Sequence, residues 1–239
     1  MENRFCFTCF TAGVGVLVVV IFDWDGTIVD SMPLFLKTLQ AFAAKYFNVS
    51  AETAKEVYYR NIGGSLEEIF RQIAILSDRD IPKEKISGIT QRVARSYYKE
   101  FLEKSKSVPV FPDVPGVLSE LKSRSYDLCI SSGGFKSALV HGAKAKGLYY
   151  LFTFILGSRR GFSKGEDHFN FIAKKLFLRP TEMAFVGDGT YDMEVGKSYG
   201  CFTIGRIDLL DENTLRSAGA DVVVRDFQSL PRIIKEKIG

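Results

Sequence analysis

Several polar side chains that could bind a metal ion, attack an electrophile or transfer a proton stand directly after apolar runs in this chain. Carboxylates dominate the set, which also has one ammonium and one hydroxyl. Its members are Asp23, Asp25, Ser131, Lys164, Asp188 and Asp192. If the apolar runs are parallel strands, their carboxyl ends meet at one edge of a sheet, where open α/β sheets bind ligands. The pattern therefore predicts one site that collects all six side chains.

Such a site favours phosphate chemistry. Four carboxylates repel each other, and a hard divalent cation, with Mg²⁺ the expected one, relieves that repulsion. The cation, the Lys164 ammonium and amides at a helix start can together hold a phosphate dianion. One carboxylate can then attack phosphorus while a second carboxyl protonates the leaving oxygen. A Ser-His-Asp arrangement is not expected, because His141 and His168 fall in predicted helices as surface or packing residues.

The element that positions the first two carboxylates is the apolar run 16–22, predicted to be a strand buried on both faces. Alternate residues of an extended chain point to opposite sides, so the chain must curl after Asp23 if Asp25 is to serve the same site. Gly26 suits such a turn. A polar loop after a buried strand explains Asp-x-Asp alone equally well, and the later motifs decide between the two.

Residues 31–107 are predicted to form only helices. Ser31 is the expected N-cap of the first helix, and Ser65 with Glu68 is a candidate capping box for the third. Further helices are predicted over 51–60 and 83–104, and Leu76 is expected on the inward face of the third helix.

From residue 108 onward, strands alternate with helices, which predicts βαβ units and a parallel sheet. The predicted strands are 126–131, 152–156, 183–186, 201–204 and 221–224, and the predicted helices are 114–123, 135–146, 165–177, 191–199 and 227–237. The predicted fold class is α/β, a Rossmann-like core of residues 1–30 and 108–239 with an inserted all-helical cap of residues 31–107 over its carboxyl edge.

Composition limits the partners and the compartment. The 239 residues carry a net charge of +4 without a dense basic stripe, so nucleic acid is not an expected partner. Cys129 and Cys201 lie in apolar runs, and Cys6 and Cys9 have no second pair to complete a zinc site. Reduced, structural cysteines and a cytoplasmic protein are expected.

The amino-terminal run of residues 5–22 resembles a membrane-spanning segment, because it is uncharged and long enough to cross a bilayer. The run continues directly into Asp23, however, and lipid around it would bury the best catalytic candidate. Residues 1–13 are therefore interpreted as an extra leader and residues 16–22 as a core strand, with no membrane association expected.

In their order along the chain, these motifs resemble those of the haloacid dehalogenase superfamily of phosphohydrolases, most of all its capped, phosphoglycolate-phosphatase-like branch. The resemblance extends from residue 16 to residue 224. The matching positions are Asp23-Trp24-Asp25-Gly26-Thr27, Ser131, Lys164, and Gly187-Asp188 through Asp192.

The resemblance implies that Asp23 is the nucleophile, forming an aspartyl-phosphate, and that Asp25 is the general acid/base. Mg²⁺ would be held by Asp23, the Asp25 backbone carbonyl, Asp188 and Asp192, the last directly or through water. The implied phosphate-binding groups are Ser131, Lys164 and backbone amides near Trp24, Asp25 and Ser132. Dehalogenase members lack the second aspartate of the first motif, so Asp25 favours phosphoryl chemistry.

Some positions depart from the family pattern. Ser132 stands where many relatives have Asn, and Gly165 begins a stretch that replaces the usual Pro-x-Pro-Asp after the lysine. Leu66 replaces the arginine that mutase relatives carry after the glycine turn of the cap. The cap candidates for recognising the leaving group are Arg60, Asn61, Gly63, Gly64 and Arg71, although solvated helix faces explain them equally well.

The sequence thus predicts a Mg²⁺-dependent phosphatase that acts on a small-molecule phosphate monoester as a monomer or homodimer. One alternative is a phosphomutase of the β-phosphoglucomutase type. A second alternative is a non-catalytic module that binds phosphate or Mg²⁺.

Overall fold

The computed structural model describes residues 19–62 and 65–238, and the leader and the Cys6/Cys9 pair lie outside these ranges. Six parallel strands form one sheet in the order β3-β2-β1-β4-β5-β6, which confirms the predicted α/β class. The strands are β1 (Val19–Phe22), β2 (Asp127–Ser132), β3 (Phe154–Gly157), β4 (Met183–Gly187), β5 (Phe202–Arg206) and β6 (Val222–Val224).

The first strand lies at the centre of the sheet, between β2 and β4, and its four residues are fully buried. Val20 and Phe22 pack into the cluster on one face of the sheet, whereas Val19 and Ile21 pack into the cluster on the other face. The described part of the predicted strand 16–22 is therefore buried on both faces, as its apolar composition requires.

Helices cover both faces of this sheet. The α-helices of the insertion come first along the chain and are α1 (Met32–Phe42), α2 (Ala51–Tyr59), α3 (Leu66–Ile75) and α4 (Lys83–Ser105). The α-helices that cover the sheet are α5 (Val114–Ser123), α6 (Lys136–Ala145), α7 (Glu166–Leu176), α8 (Thr190–Tyr199), α9 (Glu212–Ser217) and α10 (Leu230–Ile238). The pattern missed α9, which spans fewer than two helical turns and so carries little periodic signal.

The insertion between β1 and β2, residues 32–105, is called the cap below. Its described part consists of α1 to α4, a π-helix (Ala43–Phe47) that follows α1 directly, and the turns between the helices, without a strand. It has its own apolar cluster around Phe42, Phe70 and Tyr97, separate from those of the sheet. Leu76, expected to be buried there, is 52% exposed because α3 ends at Ile75. The division into two domains stays a prediction, and this separate cluster is the observation that favours it.

Two chain crossings join the cap to the sheet. They run side by side, with the Asp30 amide donating a hydrogen bond of 3.1 Å to the Pro109 carbonyl, and Val29 bridged to Val110. The cap also contacts the sheet side directly, because Leu209 packs against the cap cluster. Within the described ranges, no helix combines the length and the apolar character that crossing a bilayer requires.

Candidate active site

A cavity of about 670 Å³ lies between the cap and the carboxyl ends of the central strands. Five of the six predicted site residues line it, and Ser131 does not. The five are Asp23, Asp25, Lys164, Asp188 and Asp192. The topology explains this, because β1, β2 and β4 are parallel neighbours whose carboxyl ends reach the same edge.

The turn after β1 brings Asp23 and Asp25 to the same cavity. Gly26 has a φ of +76°, and a Cβ at this position would collide with the Asp188 carboxylate. Only glycine satisfies both constraints without strain. Ser31, expected to cap α1, instead donates its hydroxyl hydrogen to Asp25 Oδ1 at 2.7 Å. This hydrogen bond fixes the orientation of the Asp25 carboxyl group.

Three buried carboxylates lie close together, those of Asp23, Asp188 and Asp192. One oxygen atom from each lies within 4.8 Å of the other two. The Thr27 hydroxyl donates to Asp188 Oδ1 at 2.7 Å, and the Gly189 amide donates to Asp192 Oδ2 at 3.1 Å. A buried, oxygen-only donor set of this kind fits Mg²⁺, a hard cation that prefers carboxylate ligands.

The pKa shifts of the clustered carboxylates also favour a bound cation. Burial raises the pKa of Asp23 to about 7, opposed by the Lys164 ammonium and reinforced by the Asp192 and Asp25 carboxylates. Burial and the two neighbouring carboxylates also raise the pKa of Asp188 well above its ordinary range. The negative charge exceeds what a single ammonium neutralises, so a bound divalent cation would favour the ionised carboxylates.

Lys164 provides that ammonium. Its Nζ lies 3.0 Å from Asp23 Oδ1 and 2.6 Å from Asp192 Oδ1. Burial alone would lower the pKa of Lys164, but these two carboxylates outweigh it and raise the pKa, so the side chain stays charged.

The backbone of Lys164 is held from both sides. Its amide donates to Ser158 Oγ at 3.0 Å, and Ser158 in turn donates to the Ser132 carbonyl at 3.2 Å. Its carbonyl accepts a hydrogen bond of 3.2 Å from the Tyr191 hydroxyl. Sequence analysis missed Ser158, although the signal that found the other residues, a polar side chain directly after a strand, was present at the end of β3.

The two serines at the end of β2, Ser131 and Ser132, face different surroundings. Ser131 is fully buried, and its Oγ lies 2.9 Å from His168 Nδ1 on α7. Ser132 lines the cavity. Cys129, two residues before Ser131, packs on the face of the sheet that α7 covers. Because alternate residues of a strand share a face, Ser131 points to this same face. The expected phosphate contact of Ser131 is therefore not supported, and Ser132 is the serine positioned for it.

The cap candidates that the structure describes, Arg60, Asn61 and Arg71, do not line the cavity. Arg60 is an exposed partner of Glu56, Arg71 forms two hydrogen bonds with Glu68, and Asn61 is bonded to Gln72. Gly63 and Gly64 lie outside the described residues. The Trp24 ring packs into the core against Gly142, which leaves only the backbone of Trp24 to face a phosphate.

Comparison with known proteins gives relatives that cover nearly the same length. The chain is 26% identical over 90% of its length to a phosphonoacetaldehyde hydrolase of Latilactobacillus sakei, of which the match covers 94%. It is also 26% identical to a phosphoglycolate phosphatase of Vibrio cholerae, over 78% of this chain and 83% of the relative.

Solved structures share the fold. A haloacid dehalogenase-like hydrolase family protein from Streptococcus pneumoniae superposes with a TM-score of 0.74 at 23% identity, covering 91% of this chain and 98% of the other. The family model described as haloacid dehalogenase-like hydrolase matches residues 20–206, which include every charged residue of the cavity described above. The chain therefore belongs to the haloacid dehalogenase-like hydrolases.

Proposed function

We propose that this protein is a Mg²⁺-dependent phosphatase that hydrolyses a small-molecule phosphate monoester through an aspartyl-phosphate on Asp23. The observation that carries the proposal is the buried ion-pair cluster, in which Lys164 Nζ contacts Asp23 at 3.0 Å and Asp192 at 2.6 Å. A nucleophilic carboxylate beside an ammonium and a cation-binding carboxylate pair suits attack on a phosphate dianion.

The metal would be held by the carboxylates of Asp23, Asp188 and Asp192, with the backbone carbonyl of Asp25 as a further ligand. When bound, Mg²⁺ supplies a Lewis acid that neutralises charge on the phosphoryl oxygens. Lys164 and the Ser132 hydroxyl hold these oxygens, helped by backbone amides near Trp24, Asp25 and Ser132.

In the first step, an Asp23 carboxylate oxygen bonds to phosphorus and the bond from phosphorus to the leaving oxygen breaks. The proton on Asp25 passes to that leaving oxygen. In the second step, Asp25 takes a proton from water, whose oxygen attacks phosphorus and releases inorganic phosphate and Asp23. Burial raises the pKa of Asp25, against the hydrogen bond from Ser31, which favours the protonated form that the first step needs.

The cap would exclude bulk water while the phosphoenzyme forms and admit water afterwards. The crossings at 29–32 and 106–111 are the proposed hinge. The cytoplasmic compartment and the choice between monomer and homodimer stay predictions.

A panel of phosphate esters, assayed with Mg²⁺ and with chelator, tests the function. We expect turnover only with Mg²⁺, and expect Asp23→Asn to abolish both turnover and covalent phosphate. The panel includes phosphoglycolate and sugar phosphates, and phosphonoacetaldehyde, which has a carbon–phosphorus bond in place of the ester, is assayed beside it. A requirement for a sugar bisphosphate would indicate a mutase instead. Turnover or phosphoenzyme that survives in Asp23→Asn would show that the nucleophile is another residue.

The role of Lys164 is tested separately. Lys164→Met should weaken inhibition by inorganic phosphate about tenfold or more, because a buried charge-assisted contact is lost. Circular dichroism checks that the fold is retained. Normal turnover in this variant would place the phosphate-binding cation elsewhere.

A further inference from the structure

The two walls of the catalytic cavity differ in chemistry. The wall formed by the sheet side carries the charges described above. On the wall formed by the cap, nine of the described residues line the cavity; none of the nine is charged, and three have a side-chain oxygen or nitrogen. The nine are Met32, Phe35, Tyr58, Ile62, Ser65, Leu66, Ile69, Tyr98 and Phe101.

The sheet side offers no spare cation for a second anionic group. Among the described residues that line the cavity, Lys164 is the single cationic side chain, and it already bridges Asp23 and Asp192. Glu194 at the cavity adds a further negative charge. Mg²⁺ and Lys164 together would carry fewer positive charges than the negative charges of a phosphate dianion and the three carboxylates, so no cation is left to pair with another anion.

The cap arginines do not change this balance. The Arg60 side chain is 76% exposed and pairs with Glu56, and Arg71 is engaged by Glu68 through contacts of 2.6 and 2.7 Å. Neither lines the cavity. Leu66, at the start of α3, occupies the cavity wall where a cation would serve a charged leaving group.

The apolar wall is held in place by its own packing. The Phe35 ring lies 5.0 Å from the Tyr58 ring and 5.7 Å from the Phe101 ring, measured between centroids. Tyr97, behind them, donates its hydroxyl hydrogen to the Phe35 carbonyl at 3.0 Å. A pre-organised aromatic surface of this kind binds apolar groups without first ordering itself.

We propose that the cavity selects phosphate monoesters whose leaving group is uncharged and largely apolar, such as an aryl or branched alkyl alcohol. It discriminates against leaving groups that carry a carboxylate or a second phosphate. This inference rests on the proposed phosphatase function. A carboxylate that enters the cavity loses its water against an apolar wall, finds no free cation and meets like charges. The cavity volume is in the usual range for small-molecule sites.

The matched test compares phenyl phosphate with para-carboxyphenyl phosphate, which differ by one carboxylate and have leaving phenols of similar acidity. With Mg²⁺, we expect kcat/KM to favour phenyl phosphate by about tenfold or more. A binding measurement that needs no turnover accompanies it. Calorimetry with phenylphosphonate and para-carboxyphenylphosphonate should show the same order of affinity.

A cation built into the apolar wall should remove the preference. Leu66→Arg should raise the ratio of para-carboxyphenyl to phenyl activity about tenfold, since the guanidinium can pair with the carboxylate. Leu66→Met is the matched uncharged control and should leave the ratio near that of the wild type. Arg71→Gln removes a cap charge outside the cavity and should also leave the ratio unchanged.

The outcomes separate this inference from the proposed function. If the carboxylated compounds react and bind as well as their neutral partners, the inference is overturned while the phosphatase function stands. If no phosphate ester in the panel is hydrolysed, the phosphatase function fails, and the two phosphonates still decide whether the cavity rejects a second anion.

Discussion

At the scale of single residues, the contrast between Ser131 and Ser132 shows how one position along a strand changes a side chain's role. Ser131 faces His168 in the core, and Ser132 faces the cavity. Ser132 Oγ also accepts a hydrogen bond of 3.1 Å from the Gly134 amide, which leaves its hydroxyl hydrogen free to be donated. In the proposed reaction, Ser132 would donate this hydrogen to a phosphoryl oxygen.

This contrast leads to a paired experiment. Ser132→Ala should weaken binding of phosphate or substrate about fivefold to tenfold, the cost of one hydrogen bond to a charged group. Ser131→Ala should instead lower the free energy of unfolding by about 1–2 kcal/mol, because it leaves His168 Nδ1 without its buried partner. Steady-state kinetics and urea denaturation on both variants separate the two effects, and the reverse result would restore Ser131 as the phosphate ligand.

At the scale of elements, the segment between β3 and α7 fixes the position of the Lys164 ammonium. Ser158, the residue directly after β3, accepts a hydrogen bond from the Lys164 amide, and Tyr191 on α8 donates one to the Lys164 carbonyl. Gly165, with a φ of +100°, then lets the chain turn into α7. The position of Lys164 therefore depends on its contacts with the residue after β3 and with α8.

Loss of one of these anchors should reduce catalysis without removing any charged group. We expect Ser158→Ala to lower kcat/KM about tenfold through misplacement of Lys164. Ser158→Thr keeps the hydroxyl and should recover most of the activity, whereas Ser119→Ala, on the exposed face of α5, should have no effect. An unchanged inhibition constant for phosphate in Ser158→Ala would contradict the positioning role.

The contact between α7 and β2 predicts a pH dependence of stability. Burial lowers the pKa of His168 to about 4, despite the opposing charge of Asp167, whereas an unfolded histidine has a pKa of about 6.5. Below pH 6.5 the unfolded chain therefore binds a proton that the folded chain refuses until about pH 4. This contribution to stability is complete above pH 6.5 and decreases as the pH falls toward 4.

Replacement of the histidine should remove that dependence. We expect the urea midpoint of His168→Gln to change less between pH 7 and pH 5 than that of the wild type. His141→Gln, at an exposed position on α6, is the matched control and should keep the wild-type slope. Equal slopes in all three proteins would show that folding does not lower the pKa of His168.

At the scale of the whole molecule, a buried ion pair joins three distant parts of the chain. Arg206, at the end of β5, donates to both oxygens of Asp113 at 2.9 and 3.2 Å, and its guanidinium lies between the Phe111 and Phe227 rings. Asp113 also accepts a hydrogen bond of 2.6 Å from the Phe227 amide. The pair thereby ties the second half of the sheet to the chain that leaves the cap and to the segment that precedes α10.

Removal of one partner should destabilise the molecule strongly. Asp113→Ala leaves the Arg206 charge buried and unpaired, and we expect a loss of about 3–5 kcal/mol in the free energy of unfolding. Glu212→Ala breaks an exposed pair with Arg216 and should cost no more than about 0.5 kcal/mol. Urea denaturation at pH 7 measures both, and similar losses in the two variants would contradict this account.

The sequence by itself determined the fold class and the family. Both could be predicted from local patterns, which do not depend on long-range contacts. These patterns are the buried strand before Asp23, the regular alternation of strands and helices after residue 108, and the order of the polar clusters. Helix ends and the short helix α9 were less accurate, because neighbouring elements decide where a helix stops.

Other features were decided by the tertiary structure alone. Three contacts join residues far apart in the sequence, namely Ser131 with His168 (37 positions), Lys164 with Tyr191 (27) and Asp113 with Arg206 (93). The apolar wall of the cap likewise gathers residues from α1, α2, α3 and α4. The sequence pattern indicates which chemical groups are present and near which strand ends they lie. Tertiary packing decides which of these groups face the same cavity. The site's charges could therefore be predicted from spacing, and the surface that would select the leaving group could not.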